Sequence, residues 1–537
     1  VYRGSTLILD RTTKFHTSDV HFSGNFGYGI NERSVKIFIF AYTKLLCDTP
    51  FGADSKPVKV KKKFLMKLLS FPILDTIKHF AKLADDLLSK QFETGGEESQ
   101  FFDDRFKDTP IFYEYHHWFT SRDPKLLRYI LTFLLFGKKL DYVESSFDAT
   151  AFRGWLEVEE RVSKLSFSSN DVCSLRNIIT AILGDIQVDY LLPRNGPGKV
   201  AEKEIRTIYD KVNYLTVSPK IAYVFHRSRP YWHEDYGFGH SHAPQHKLLP
   251  TKPARLKFVP KDVTKSRSIC MEPVGNMIYQ QEVLRWLSHT MDSGLISRFV
   301  DMNDQSKNQF ACLIGSITGA ADTIDLSSAS DSVSFELVKG IFKDTPKLLM
   351  LLLATRSSSA ITPDGLINLK KFAPMGSAVC FPIQCIIFTS ICLYAAISQQ
   401  RGLTTGDWIC SRDDITNFVR DSLHRHYSIG NAYTSKYLPP VVFGDDLIID
   451  HRSYDQVITT LTRLGFQVNE SKSFSGSQSF RESCGVFVFS GEDVTPYRYR
   501  IPLLRGVSFD SSYYASLIAS INNARAYGYF SIASYLQ

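Results

Sequence analysis

Two adjacent carboxylates at the tip of a β-hairpin repel each other unless a cation sits between them, and this chain contains such a tip. Phe443, Gly444, Asp445 and Asp446 lie between the β-branched runs of PVVFGDDLIID (Pro440 to Asp450), the pattern of two strands joined by a tight turn. Alone, the Gly-Asp-Asp tripeptide is a weak signal, because turns built from these residue types are common. A second carboxylate motif, DLSSASDS (Asp325 to Ser332), adds weight; it stands at the end of an expected strand, DTIDL (Asp322 to Leu326), roughly 120 residues upstream. Alternation along that strand allows Asp325 to face a neighbouring hairpin. Asp325, Asp445 and Asp446 could then hold two magnesium ions roughly 3.5 to 4 Å apart, the arrangement used for in-line displacement at phosphorus.

Other elements must position these residues. SFELVKGIF (Ser334 to Phe342) reads as a helix, YDQVITTLTRLG (Tyr454 to Gly465) as a helix closed by a glycine, and FQVN (Phe466 to Asn469) as a returning strand. Ala378 to Ile397 carries no charge for twenty residues. That is long enough for a bilayer span, but Pro382, Gln384, Thr389 and Ser390 and the absence of basic or aromatic flanks make it a buried core helix. Strands interleaved with helices predict an α+β sheet layer. The first 250 residues read as mainly helical, through FLMKLLSFPILDTIKHFAKLADDLL (Phe64 to Leu88) and KLLRYILTFLLF (Lys125 to Phe136), with a break at Thr94 to Gln100.

The 537 residues carry 63 basic and 55 acidic side chains, a balance of +8, with 44% hydrophobic and 13% aromatic residues. Disorder, collagen-like repeats and a disulfide miniprotein are excluded, and about three lobes are expected from the length. The mild basic excess permits a polyanionic partner. Nine scattered cysteines without a C-x-x-C pair read as reduced thiols. The lysines Lys56, Lys59, Lys61, Lys62, Lys63 and Lys67 form a solvated face or an RNA contact. RNGPGK (Arg194 to Lys199) reads as a chain reversal, and His233, His240, His242 and His246 lack the partners of a convincing zinc set. The chain opens on Val1 without an initiator methionine or an apolar leader core, which suggests a fragment.

A series of motifs resembles the RNA-directed RNA polymerases of single-stranded RNA bacteriophages, the levivirus-type replicase catalytic subunit. In family order these are VPKDVTKSRSICMEP (Val259 to Pro273), NMIYQQ (Asn276 to Gln281), NDQSKNQ (Asn303 to Gln309), TIDLSSASDSVS (Thr323 to Ser334), PMGSAVCF (Pro374 to Phe381) and FGDD. GFQVNESKSF (Gly465 to Phe474), FRESCG (Phe480 to Gly485) and EDVTPY (Glu492 to Tyr497) complete the series. The first 190 residues carry no match.

The resemblance implies a right-handed polymerase of fingers, palm and thumb, with the Gly-Asp-Asp hairpin on an antiparallel palm sheet. Residues 1–250 would form a helical N-terminal region and fingers, 251–320 fingers and palm with a basic triphosphate motif, 321–500 the palm with a fingers insertion near 345–372, and 501–537 the start of an incomplete thumb. Asp325, Asp445 and Asp446 fall on metal positions for two Mg2+ ions, which Mn2+ could replace. Lys261, Lys265 and Arg267 fall on the basic motif that meets the incoming triphosphate, with Lys265 one residue out of register. Asp331, Gly376 and Gln384 fall where the sugar is sensed, and Lys472 matches a lysine assigned as general acid to pyrophosphate, although structural anchoring explains a lone lysine equally well. Cys380 replaces a usual threonine, which weakens a ribose contact there, and Phe443 replaces a tyrosine while keeping its packing role. Implied partners are RNA template and product, nucleoside triphosphates, host elongation factors Tu and Ts and a ribosomal protein, in the cytoplasm of an infected bacterium and without a membrane. Alternatives are a polymerase of a capsidless fungal RNA virus, a reverse transcriptase, for which Ser330 and Asp331 are unexpectedly polar, and a non-enzymatic RNA-binding protein.

Overall fold

The computed structural model describes residues 6–10, 13–16, 32–49, 73–90, 110–140, 145–184, 186, 195–196, 198–213, 216–225, 247–248, 252–422, 437–502 and 510–537. The cluster from Lys56 to Lys67, the break at Thr94 to Gln100, the four histidines and part of the Arg194 to Lys199 turn lie outside the described residues. The chain forms two compact units, one of Val1–Thr150, Pro260–Arg267 and Gly485–Gln537, the other of Ala151–Val259 and Ser268–Cys484.

Among its described residues the first unit is helical where apolar residues recur at helical spacing, and residues 64–72 of the expected Phe64 to Leu88 helix lie outside them. Helix Pro124–Leu135 shows why: Asp123 accepts from the Lys125 N–H at 3.0 Å, proline occupies the first turn, and the side chains from Leu126 to Leu135 that face inward are buried. Its Phe133 and the following Phe136 pack with Phe38, Tyr42 and Phe80 from helices Glu32–Leu45 and Ile73–Lys90. The buried Tyr42 hydroxyl donates to Phe133 O at 2.6 Å, so the ring is buried without an unsatisfied polar atom. Helix Phe530–Leu536 joins this core, and Asp48 accepts from the Ser531 and Ile532 N–H groups at 2.9 and 3.1 Å, capping its first turn.

The second unit is built around helix Cys380–Arg401. It is long and apolar enough to cross a bilayer, yet 94% of its most apolar window is buried inside the protein, as expected for a helix that is apolar on every face. Helices Ser169–Leu183, Arg412–Ser422 and Tyr454–Arg463 pack against it. Arg463 reaches Asp171, a fully buried carboxylate, through two bonds of 2.7 and 2.8 Å.

The strands used below are β1 (Ala254–Asp262), β2 (Lys265–Met271), β3 (Ala321–Ile324), β4 (Leu326–Ser327), β5 (Ser359–Thr362), β6 (Gly365–Asn368), β7 (Val441–Phe443), β8 (Asp446–Asp450), β9 (Gln467–Val468) and β10 (Phe480–Ser483). One sheet has the order β6-β5-β1-β2; the tip between β1 and β2, residues 260–267, counts with the first unit. A second sheet, β7-β8-β3, is antiparallel throughout and carries the Gly-Asp-Asp turn between β7 and β8. A short antiparallel pair, β9-β4, continues beyond Asp325. The α+β class expected from the sequence is therefore what forms, with the hairpin at Pro440 to Asp450, the strand at Asp322 and the helices after Ser334 and Tyr454 all present.

Beneath β3 lies a charged pair with no solvent exposure, Asp322 and Arg481, 3.3 Å apart. Arg481 also donates to Ala321 O at 2.8 Å, Gly476 O at 2.9 Å and Phe480 O at 2.8 Å, while Asp322 accepts from Gly476 N–H at 3.0 Å and His451 Nδ1 at 2.8 Å. One guanidinium thus ties β3, β10 and the loop between Phe474 and Phe480 into one block. Arg481→Met should destabilise the second unit by about 3 to 5 kcal/mol, because it strands a buried carboxylate. Asp322→Asn combined with Arg481→Met should recover part of that loss. Urea titration of the parent and both variants checks the order.

Candidate active site

The β7–β8 register ends at the pair Phe443↔Asp446, so Gly444 and Asp445 alone make the turn. Gly444 adopts φ 62°, and a Cβ there would meet Phe381 Cε2 at 2.8 Å, so both the backbone and the space require glycine. Its N–H donates to the buried Cys385 Sγ at 3.3 Å, and the Phe443 ring meets Phe381 edge-on at 4.9 Å between centroids. The turn therefore rests on an apolar floor provided by helix Cys380–Arg401, and Phe443 has the packing role expected of it.

β3 brings the third carboxylate. Its register with β8 ends at Ile324↔Leu447, and one more step sets Asp325 across from Asp446, the spacing at which opposed side chains interact. Asp325 Oδ2 accepts from Asn469 Nδ2 at 2.7 Å; its N–H donates to Ser473 Oγ at 3.2 Å and its carbonyl accepts from Asn469 N–H at 2.9 Å. Asp446 Oδ1 accepts from the Cys484 N–H at 3.1 Å and Ser483 Oγ at 3.4 Å, and Asn308 Nδ2 donates to the Asp446 carbonyl at 3.3 Å. Burial pushes the Asp446 carboxyl up to about 6; the charges of Asp445, Asp325 and Glu482 add to the rise and the Cys484 N–H opposes it.

Such mutual repulsion among hard oxygen donors fits a divalent cation. Among the described residues no three Asp, Glu, His or Cys side chains are already grouped closely enough to cage one, so the fit lies in the donor chemistry and the unbalanced charge.

Lys472, in the turn Glu470–Lys472, lies 3.2 Å from Glu482 Oε1. Gly376 has φ 119°, and a Cβ would fall 2.1 Å from Cys270 O, so the Pro-Met-Gly turn is pressed directly onto β2. Gln384 is buried in the first turns of helix Cys380–Arg401, and the neighbouring Cys380 thiol is buried, which pushes its pKa up and keeps it protonated. Asp331 is buried 3.5 Å from the ammonium of Lys371. It does not cap the next helix: Ser334 does, accepting from Leu337 N–H. Lys261, Lys265 and Arg267 belong to the first unit, whereas the carboxylates, Asp331, Gly376, Gln384 and Lys472 belong to the second.

Sequence reasoning missed the residues that hold the carboxylates and their backbone: Asn308, Asn469, Ser473, Ser483 and the Cys484 amide. All stand inside the NDQSKNQ, GFQVNESKSF and FRESCG blocks, which is the signal they carry. A backbone N–H leaves no trace in residue type.

Residues 245–421 and 439–508 match the family model described as RNA replicase, beta-chain. Among relatives, the RNA-directed RNA polymerase subunit beta of Enterobacteria phage SP is 32% identical over 246 residues, 46% of this chain and 36% of that protein. The RNA-directed RNA polymerase beta chain of Escherichia phage MS2 is 32% identical over 245 residues, 46% of this chain and 37% of that protein. The chain thus covers little more than a third of the length of these relatives. The RNA-dependent RNA polymerase of bacteriophage phi12 aligns with a TM-score of 0.41 and 13% identity, over 75% of this chain and 68% of that one. The resemblance to the levivirus-type replicases is met over the matched residues, which contain every site residue named above.

The raised Asp446 has a measurable consequence. Between about pH 4 and about pH 6 the folded state binds more protons than the unfolded state at this group, so its contribution to stability falls as pH rises through that window, by up to about 3 kcal/mol. Melts of the metal-free protein in this range should show that slope. It should be missing from Asp446→Asn and flattened in the parent by millimolar Mg2+; a parent slope unaffected by either change would contradict the assignment.

Proposed function

We propose that the chain carries out template-directed RNA synthesis, as the catalytic part of an RNA-directed RNA polymerase that replicates a phage genome inside an infected bacterium. The observation that carries this reading is the β3–β8 register, which brings Asp325 and Asp446 to facing positions beside Asp445 within the region that matches the replicase family model. In polymerase terms, the β7-β8-β3 sheet is the palm.

Divalent cations held by Asp325, Asp445 and Asp446, Mg2+ first and Mn2+ as a substitute, supply activation of the attacking ribose hydroxyl and neutralisation of the leaving pyrophosphate when bound. The protein's own contribution is positional. Asn469 fixes the Asp325 carboxylate and the Cys484 N–H fixes that of Asp446, so both stay oriented without rearrangement during reaction. Lys261, Lys265 and Arg267 supply long cationic side chains for the triphosphate of the incoming nucleotide. Lys472, paired with Glu482, is the proton donor to pyrophosphate. Asp331, assisted by Gln384, accepts a hydrogen bond from the nucleotide 2′-hydroxyl, and Gly376 lets the turn ahead of Gln384 approach closely. RNA template and product, nucleoside triphosphates, elongation factors Tu and Ts and a ribosomal protein of the host are the partners this reading entails.

Labelled nucleotide incorporation on defined RNA and DNA templates, with and without bacterial extract, tests the reading; synthesis on DNA alone, or none on RNA with extract present, would refute it. Asp445→Asn should lower turnover by two or more orders of magnitude at unchanged folding, the scale expected when transition-state charge stabilisation is lost; near-normal RNA synthesis would remove Asp445 from the site. Asp331→Ala should reduce the preference for ribo- over deoxyribonucleotides about 5- to 150-fold, since an unsatisfied polar partner is worth about 1 to 3 kcal/mol. The ratio of incorporation rates measures it.

A further inference from the structure

Lys371 has no solvent exposure, an unusual state for an ammonium. It sits in a pocket of the second unit shaped for it. Its Nζ donates to Trp155 O at 3.0 Å, stands 3.8 Å from the centre of the Trp155 ring, and lies 3.7 Å from Glu159 Oε2 and 3.5 Å from Asp331 Oδ1. The Asp331 contact lies at the outer limit of a hydrogen bond and the Glu159 contact beyond it, so charge attraction dominates both, and both oxygens are buried. The backbone around Lys371 is fixed as well. Arg356 donates to the carbonyls of Leu369, Lys371 and Phe372 at 2.7 to 2.8 Å, and the Phe372 N–H donates to Val333 O at 2.7 Å, two residues beyond Asp331.

We propose that Lys371 is a positioning residue for nucleotide selection: it holds Asp331 ionised and oriented, so that the carboxylate serves as the acceptor for the 2′-hydroxyl. This rests on the reading of Asp331 as the sugar sensor and extends it to a residue contributed from beyond the polymerase motifs. An ionised carboxylate only accepts hydrogen bonds, whereas a protonated one also donates. With two carboxylates and one ammonium in the pocket, removing the ammonium leaves Asp331 no reason to stay charged. Glu159 and the Trp155 ring hold Lys371 from the other side.

The test is the ribo- to deoxyribonucleotide incorporation ratio on an RNA template, measured with the full chain and bacterial extract. Lys371→Met should lower the ratio about 10-fold or more, into the range of Asp331→Ala, and the double variant should fall no further than either alone. A purely structural role would slow both nucleotides equally and leave the ratio at the parental value. A parental ratio in folded Lys371→Met, with Asp331→Ala having lost it, overturns the role of Lys371 alone. A parental ratio in Asp331→Ala overturns the sugar-sensor reading and this proposal with it. Should Lys371→Met not fold by circular dichroism, Lys371→Met with Glu159→Gln removes one unpaired carboxylate and reads the same ratio. Failure of both to fold assigns Lys371 to the core and overturns the proposal.

Discussion

The arrangement of the second unit depends on a charge buried where water cannot reach it. Asp322 and Arg481 are both desolvated, and burial pushes the carboxyl up and the guanidinium down despite their pairing. The pair is tolerated because every direction is filled: carbonyls of Ala321, Gly476 and Phe480 around the guanidinium, the Gly476 N–H and His451 around the carboxylate. Such a cluster contributes little net stability, but it admits few alternatives. Once Asp322 is fixed, the strand direction fixes Asp325, and the β3–β8 register fixes Asp446 opposite it.

Two kinds of support meet at the Gly-Asp-Asp turn. Below it the contacts are apolar and steric: Phe381 under Gly444, Cys385 at its N–H, Phe443 against Phe381. Beside it they are polar, with Asn469, Ser483 and the Cys484 N–H each meeting a carboxylate oxygen. The apolar floor sets position and the polar walls set orientation. Burying a carboxylate beside two others has an energetic penalty, visible in Asp446, which burial raises first and its neighbours' charges raise further, and it is confined to a turn whose backbone is held independently.

The hairpin, the strand before Asp325 and the apolar core helix were legible in the sequence because each is written in local pattern: β-branched runs about a Gly-Asp-Asp tip, alternation, and a charge-free stretch of helical length. The α+β class followed from their order. The supporting residues were not legible, since Asn469 and Arg481 act across roughly 144 and 159 residues of chain, and no local periodicity encodes a partner that far away. Asp331 was singled out by motif, whereas Lys371, three residues ahead of the PMGSAVCF block, carried no signal in the sequence. Only its burial distinguishes it.

The first unit is assembled from the two ends of the chain, with Asp48 capping a helix that begins at Phe530, 484 residues away from its Ile532 partner. At about 5 to 20 residues per second, a ribosome needs roughly 25 to 100 s to make the intervening chain. The second unit draws on no residue later than Cys484, so its core can close while the last helices are still unmade. The N-terminal helices must wait through that interval with the aromatic face of Phe38, Tyr42 and Phe80 lacking the contacts that Tyr499 and helix Phe530–Leu536 later provide. Translation thus sets a schedule in which the sheet that carries Asp325, Asp445 and Asp446 can mature before the unit that draws on residues 485–537 is sealed.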